Sequence, residues 1–365
     1  MLEKRYRLLS EFARGLHKTQ AKTLVAVVRS LIGSGQVRSF AIAGVLSEST
    51  GVRFKSALQR FYRWVHNPKL DDLALWSALA DRLLPGGRRQ SLVAVDWTEW
   101  HSGLRVLAAA VCVDSRALPV LVQAFSKTDI PRSQNTRENT FVQLLVRLSE
   151  RMAHAVLIFD RGFRRISLIR ELRWLKQPFL IRLAAKVQVV SGVYGGLLSE
   201  HPLRPGQMVD LETCLLGQRR PVRVRVVGVW ARGQDQPWWL ATTLHDAAKR
   251  VAEIYDRRMG VEACFRDSKG CRYGLKIKWT AFKTAQALAR LFLLAAIAMM
   301  VWQAAGLLAC HADETLRLTS RAKGPRRSLI AIGIASPHAV ERILAWRLST
   351  LRSHWPATRR REFAL

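Results

Sequence analysis

The sequence predicts an α/β protein: a mixed sheet flanked by helices, carrying a β-rich insertion and preceded by a small helical unit. Three observations predict it. Three apolar runs of strand length follow one another between residues 91 and 125. A helix–strand–helix–strand alternation then runs to residue 184, the texture of a sheet with helices on its faces. Ahead of both, residues 19–66 carry apolar residues at helical rather than strand spacing.

"TQAKTLVAVVRSLI" reads as a first helix ending near Gly33 and Gly35. "VRSFAIAGVLSE" is a second, "STG" a turn, and "VRFKSALQRFYRWVHNP" a third helix that stops before Pro68. A short turn followed by a helix bearing Arg53, Lys55, Arg60 and Arg63 is compatible with helix-turn-helix DNA binding; a plain helical bundle fits as well. After the Pro-Gly-Gly at 85–87, "SLVAVDW", "LRVLAAAVCV" and "ALPVLVQAF" read as successive strands. "ENTFVQLLVRLSERM" is an amphipathic helix, "AVLIFD" a buried strand, "RISLIRELRWL" a helix and "PFLIRLA" a fifth strand. Between about 185 and 245, "KVQVV", "RPVRVRVVGVW" and "PWWLATTL" suggest a small inserted sheet. Helices resume over 246–269 and 281–309, and a basic tail begins near 317. Residues 1–85, 86–310 and 311–365 are thus expected as three regions.

Composition narrows the function. Lys and Arg number 59 against 27 acids, a net charge of +32, and a field of that sign attracts polyanions, nucleic acid first. Cys112, Cys214, Cys264, Cys271 and Cys310 form no CxxC pair, which suits a reducing compartment and excludes a usual zinc spacing. The first residues lack the apolar core of a signal peptide. "LFLLAAIAMMVWQAAGLLA" (291–309) is long enough to span a bilayer, but as a single run containing Gln303 it reads as a buried core helix.

With acids scarce, their positions carry information. Asp96 ends the strand "SLVAVDW" and Asp160 ends "AVLIFD", where sites gather in open α/β sheets. Two such carboxylates on neighbouring strands could bind a divalent metal through oxygen; each could also be a strand-end or helix-capping Asp. Glu99 and Asp114 are rivals for the first position. The stretch "VAEIYDRRMGVEACFRDSKG" (251–270) adds a third acid. On a helical wheel, Tyr255, Arg258, Glu262 and Lys269 share an arc about 60° wide. Ile254, Val261 and Phe265 form an apolar stripe beside it, while Glu253, Asp256 and Asp267 fall elsewhere. A solvated face would set its charges opposite the stripe, so this one reads as the wall of a site. Gly260 costs such a helix about 1 kcal/mol relative to Ala; close approach of another backbone would explain it.

The spacing Tyr255-x2-Arg258-x3-Glu262-x6-Lys269 resembles the Tyr-Arg-Glu-Lys signature of bacterial cut-and-paste DDE transposases of the insertion-sequence-four type. Asp96 and the Asp160 of "FDRGF" match that class's other two acids, and the β-rich segment resembles the insertion in its ribonuclease-H-like catalytic domain. The resemblance covers residues from about 20 to 310. It implies that Asp96, Asp160 and Glu262 are catalytic and hold two Mg²⁺ ions, with Mn²⁺ able to substitute. It further implies that Arg258 and Lys269 grip phosphates near the cleaved end, and that Tyr255 positions the backbone there. Members of this group open the end through a hairpin with a base flipped onto an aromatic, for which Trp238 and Trp239 are the candidates. Alternation along a strand would put one of them inward and one outward.

The expected partners are transposon-end DNA, bound in part by Arg60 and Arg63, target DNA, and a second copy of the chain in the paired-end complex. No membrane or small-molecule substrate is expected, and the expected location is the bacterial cytoplasm, on the nucleoid. Two other readings stay open: a transposase-derived DNA-binding protein, and a ribonuclease-H-like nuclease without strand transfer.

Overall fold

The computed structural model describes residues 6–85, 90–100, 103–113, 116–130, 133–217, 220–269, 275, 277, 282–313, 328–347 and 350. Asp114, Cys271, Gly86, Gly87 and much of the basic tail lie outside the described residues.

The chain opens with helices α1 (Arg7–Phe12), α2 (Lys18–Ser34), α3 (Ser39–Thr50), α4 (Phe54–Val65) and α5 (Asp72–Leu83). Leu24, Val27, Val28 and Leu31 bury one side of α2 at i, i+3, i+4 and i+7. α2 and α3 each end on a left-handed glycine, Gly35 and Gly51. Ala43, Leu46 and Ala57, joined by Ala26 and Leu58, form a small core among α2, α3 and α4. Asp71 caps α5 by accepting from Ala74 N at 2.9 Å. α5 goes beyond the sequence reading, although Leu75, Trp76, Leu79, Ala80 and Leu83 recur at helical spacing.

The sheet begins as an antiparallel meander: β1 (Ser91–Glu99), β2 (Leu104–Val113) and β3 (Arg116–Ser126). α6 (Gln134–Arg147), β4 (Ala155–Phe159), α7 (Ile166–Trp174) and β5 (Phe179–Leu183) follow, and β4 lies parallel to both β1 and β5. All five expected strands of this part are present.

The insertion departs from expectation. β6 (Gln188–Val190), β7 (Gly195–Leu197), β8 (Met208–Leu216), β9 (Val222–Val229) and β10 (Trp238–Thr242) do not form a separate small sheet. β10 pairs antiparallel with β5, giving one ten-stranded sheet in the order β3-β2-β1-β4-β5-β10-β9-β8-β6-β7. The open edge of β5 supplies the reason: its free hydrogen-bonding groups are met by β10. β8 escapes a reading by alternation because its register shifts between Asp210 and Thr213, around Glu212 with φ +55°.

The single helix expected over 246–269 is two: α8 (Ala248–Asp256) and α9 (Met259–Lys269). The break falls at Arg257 and Arg258, and Gly260 N donates back to Arg257 O at 3.0 Å. Gly260 stands where a Cβ would lie 3.1 Å from Arg116 O. The close backbone approach is therefore to the start of β3.

α10 (Ala285–Ala312) is, among the described residues, the one helix long and apolar enough to cross a membrane, and 89% of its most apolar window is buried within the protein. That agrees with its reading as a core helix. Arg290, 1% exposed, ties it to the N-terminal helices, donating from Nε to Asp72 Oδ1 at 2.8 Å and from Nη1 to Val65 O at 2.8 Å. α11 (Leu329–Ile334) and α12 (Pro337–Ala345) pack on the same helix. One apolar cluster takes residues from all three regions, among them Leu31, Val95, Leu294 and Ile343.

Candidate active site

Register brings the acids together. Val95 on β1 pairs with Phe159 on β4, and Phe159 with Ile181 on β5. One residue further along these parallel strands, Asp96, Asp160 and Arg182 stand in a row at the carboxyl ends. Asp160 Oδ1 accepts from Gly162 N at 2.8 Å, which turns the chain sharply out of the sheet, and Asp96 Oδ1 accepts from Trp97 N at 2.8 Å.

The α8–α9 break sets the third acid opposite. Arg258, at the break, donates from Nη1 to Asp96 Oδ2 at 3.1 Å and from Nη2 to Glu262 Oε1 at 2.7 Å. Its guanidinium thus bridges a strand-end acid and an acid in the first turn of α9. Burial, then the neighbouring Asp160, pushes the Asp96 carboxyl up from 3.8 to about 6, against the opposing pull of Arg258.

Alternation along β1 gives it two working faces. Asp96, Thr98 and Trp100 share one. There Lys269 donates to the Thr98 hydroxyl and lies 5.4 Å from the centre of the Trp100 ring. Trp97 and Glu99 share the other. Trp97 Nε1 donates to Glu138 Oε1 at 2.9 Å, and Arg165, five residues past Asp160, donates to Glu138 Oε2 at 2.7 Å. Glu138 is 1% exposed, so α6 braces both the β1 end and the loop after β4 through one buried carboxylate. Glu99 instead pairs at the surface with Arg105 and Lys127.

Tyr255 is buried, 4% exposed, with its ring edge-on to Trp238 at 5.0 Å. Its hydroxyl hydrogen-bonds with Arg258 and Arg182, and burial pushes it above the usual phenol range. Burial also lowers Arg182. In this arrangement Tyr255 orients two guanidiniums and does not itself face outward. Trp239, 1% exposed, packs into the core against His201, so it has no free face for a base; Trp238 is half-buried. Arg63 is exposed on α4, whereas Arg60 turns onto α2, Nε donating to Thr23 Oγ1 at 3.3 Å.

The sequence reading missed Arg182 and Glu138. Arg182 had a signal: it is the lone charge in "PFLIRLA", at the strand end where the two aspartates also fall. Glu138 had none, since one acid in an amphipathic helix reads as surface.

Among the described residues, no three His, Cys, Asp or Glu side chains stand close enough as placed to hold a metal ion. The donor chemistry nevertheless fits a hard divalent cation: oxygen only, with Asp160 acting electrostatically on Asp96 and a positive guanidinium lying between Asp96 and Glu262. A cluster so arranged can bind cations and, with Arg182, Arg258 and Lys269 around it, anionic phosphates. A family model for the transposase DDE domain matches residues 87–300. No curated protein matches the chain.

Proposed function

The chain belongs to the DDE transposase family, and we propose that it cuts and joins the ends of an insertion sequence of the insertion-sequence-four type through Asp96, Asp160 and Glu262. One observation carries the reading: the β1–β4 register sets Asp96 beside Asp160, and Arg258 links Asp96 to Glu262. Residues 1–85 find the ends in this reading, 86–310 catalyse, and 311–365 add basic surface. The work is done by paired copies of the chain on DNA, in the bacterial cytoplasm.

The three carboxylates would hold two Mg²⁺ ions, or Mn²⁺ in their place, which supply activation of the attacking oxygen and stabilisation of the leaving oxygen. The protein's own groups do the rest. Arg258 is poised to leave the carboxylates for a phosphate as DNA enters, because one phosphate can accept from both of the nitrogens that bond Asp96 and Glu262. Arg182 stands beside it on the same Tyr255 hydroxyl. Lys269, placed by Thr98 and Trp100, neutralises the next phosphate. In hydrolysis, water oxygen bonds to phosphorus, the 3′-oxygen leaves with a proton, and a 5′-phosphate remains. In joining, the freed 3′-hydroxyl attacks a target phosphodiester in the same way. For a hairpin at the end, Trp238, half-buried and edge-on to Tyr255, is the aromatic assigned to stack a flipped base.

The test is incubation with Mg²⁺, a supercoiled plasmid bearing the element's ends, and a second plasmid. Ends joined to the second plasmid, with hairpins among the intermediates, support the reading. Cutting without joining points to a nuclease, and binding without cutting to a DNA-binding protein.

A further inference from the structure

The end of the sheet away from the acids holds a cleft that the acid site does not use. Its volume is about 640 Å³, the size of a small-molecule site. It opens at the amino ends of β1 and β5, beside Gln90 and Pro178, and residues 242–246, which lead from β10 towards α8, form another wall. From Ser91 to Asp96, β1 runs roughly 17 Å, so the two sites are separate.

Two kinds of polar group meet in this cleft. Gln177 lines it, is 2% exposed, and donates from Nε2 to Met152 O at 3.0 Å and to Ala155 O at 2.5 Å. Those bonds use both amide hydrogens, which fixes the other end of the amide as the oxygen. That oxygen, Oε1, is buried without a partner among the described residues, an arrangement that calls for a donor from elsewhere. At the rim, Arg173 and Lys176 are exposed, and among the described residues no ion pair engages either side chain. Lys176 has φ +54°, a left-handed position just past α7 where a glycine would sit without strain. The helix end alone therefore does not account for a lysine there. Arg225 is not available to a ligand: it donates to Leu244 O at 2.8 Å, to Asp246 O at 2.7 Å and to the Asp210 carboxylate, and so holds the wall in place. Asp246 and the exposed Thr213 add acceptors and a hydroxyl.

The mixture of groups selects the ligand. A pair of cations suits a phosphate, a buried amide oxygen requires an N–H, and a carboxylate beside a threonine suits sugar hydroxyls. We infer that the cleft binds a nucleotide with an amino-bearing base. Arg173 and Lys176 take the phosphate, Asp246 and Thr213 the sugar, and Gln177 Oε1 the base amino group. The nucleotide is free or is one unit of a single strand. For a strand, Trp174, 74% exposed at the end of α7, gives a neighbouring base a surface to stack on.

The test is calorimetric titration of the full chain with adenosine 5′-monophosphate (AMP), purine riboside 5′-monophosphate and inorganic phosphate. A chelator is present, and the salt is high enough to suppress non-specific binding of anions. AMP should bind at one site per chain. Purine riboside monophosphate, which lacks the amino group, should bind about tenfold more weakly, and phosphate more weakly again. The base contact is tested on the ligand because Gln177 also holds two carbonyls. Arg173→Ala and Lys176→Gly should each weaken AMP about tenfold. Lys176→Gly should keep the wild-type thermal midpoint, since glycine adopts that φ freely, and Glu262→Gln should leave AMP binding unchanged. Tighter binding of a single-stranded tetranucleotide than of AMP, with the excess lost in Trp174→Ala, assigns the ligand to a strand; no excess assigns it to a free nucleotide. Equal binding of AMP, purine riboside monophosphate and phosphate, or full AMP affinity in both rim variants, overturns the site and leaves surface charge alone. The transposase reading is separate, since Mg²⁺-dependent cutting and joining would survive that result.

Discussion

At the scale of single residues, Asp96 carries the most consequence. Its carboxyl is raised to about 6 in the folded chain from 3.8, so the fold holds its proton more tightly than the unfolded chain does. Its contribution to stability is therefore full below about pH 4 and is lost as pH rises through 6, a swing of about 3 kcal/mol. Asp96→Asn should gain stability relative to wild type between pH 5 and 7.5 in urea titrations with a chelator, and adding Mg²⁺ should narrow the gap. A pH-independent difference would contradict this. Cys112 gives a second check. Complete burial pushes its thiol up to about 12, so iodoacetamide at pH 8 should modify it only after unfolding, as read by peptide mass mapping. Labelling of Cys112 in the folded chain would show that β2 is open there.

At the scale of elements, much of the site was legible and some was not. Asp96 and Asp160 could be read because strand ends are set by local pattern, whereas the arc drawn through Tyr255, Arg258, Glu262 and Lys269 assumed one straight helix and its residues lie on two, α8 and α9, and at the break between them. Three features depended on long-range pairing, which local pattern does not encode. The register of β1 on β4, the closure of β10 onto β5, and the break at Arg257–Arg258 all belong here. The break matters most, because Arg258, which bridges Asp96 and Glu262, sits at it. Gly260 permits it by letting α9 start against Arg116 O. Gly260→Ala should cost about 1–3 kcal/mol and reduce cleavage more than end binding. Equal losses in both would mean the glycine serves only the fold. α11 offers a parallel case away from the site: a Cβ on Gly306 of α10 would lie 1.9 Å from Leu329 O, so Gly306→Ala should lower the thermal midpoint while leaving the acid cluster's chemistry intact.

At the scale of the whole molecule, the three regions share one apolar cluster, and α10 is its axis. The sequence suggests separable regions because composition and punctuation change near 85; the structure joins them through Arg290, buried against Asp72 and the Val65 carbonyl. Asp72→Ala would strand that guanidinium, at a cost of about 3 kcal/mol. Urea unfolding followed by tryptophan fluorescence and by circular dichroism should then shift to lower urea as one transition. Two separated transitions would show that the N-terminal helices unfold by themselves. The shared core also places the N-terminal helices and the acid cluster in one body.

The central claim is that Asp96, Asp160 and Glu262 act as one centre. It is tested most directly by Mg²⁺-dependent cleavage of a supercoiled plasmid bearing the element's ends, comparing wild type with Asp96→Asn, Asp160→Asn and Glu262→Gln, each with end binding measured alongside. Cleavage should fall below detection in all three while binding is retained. Undiminished cleavage by any one of them would remove that residue from the centre and, for Glu262, would return the helix after Arg258 to an ordinary charged surface.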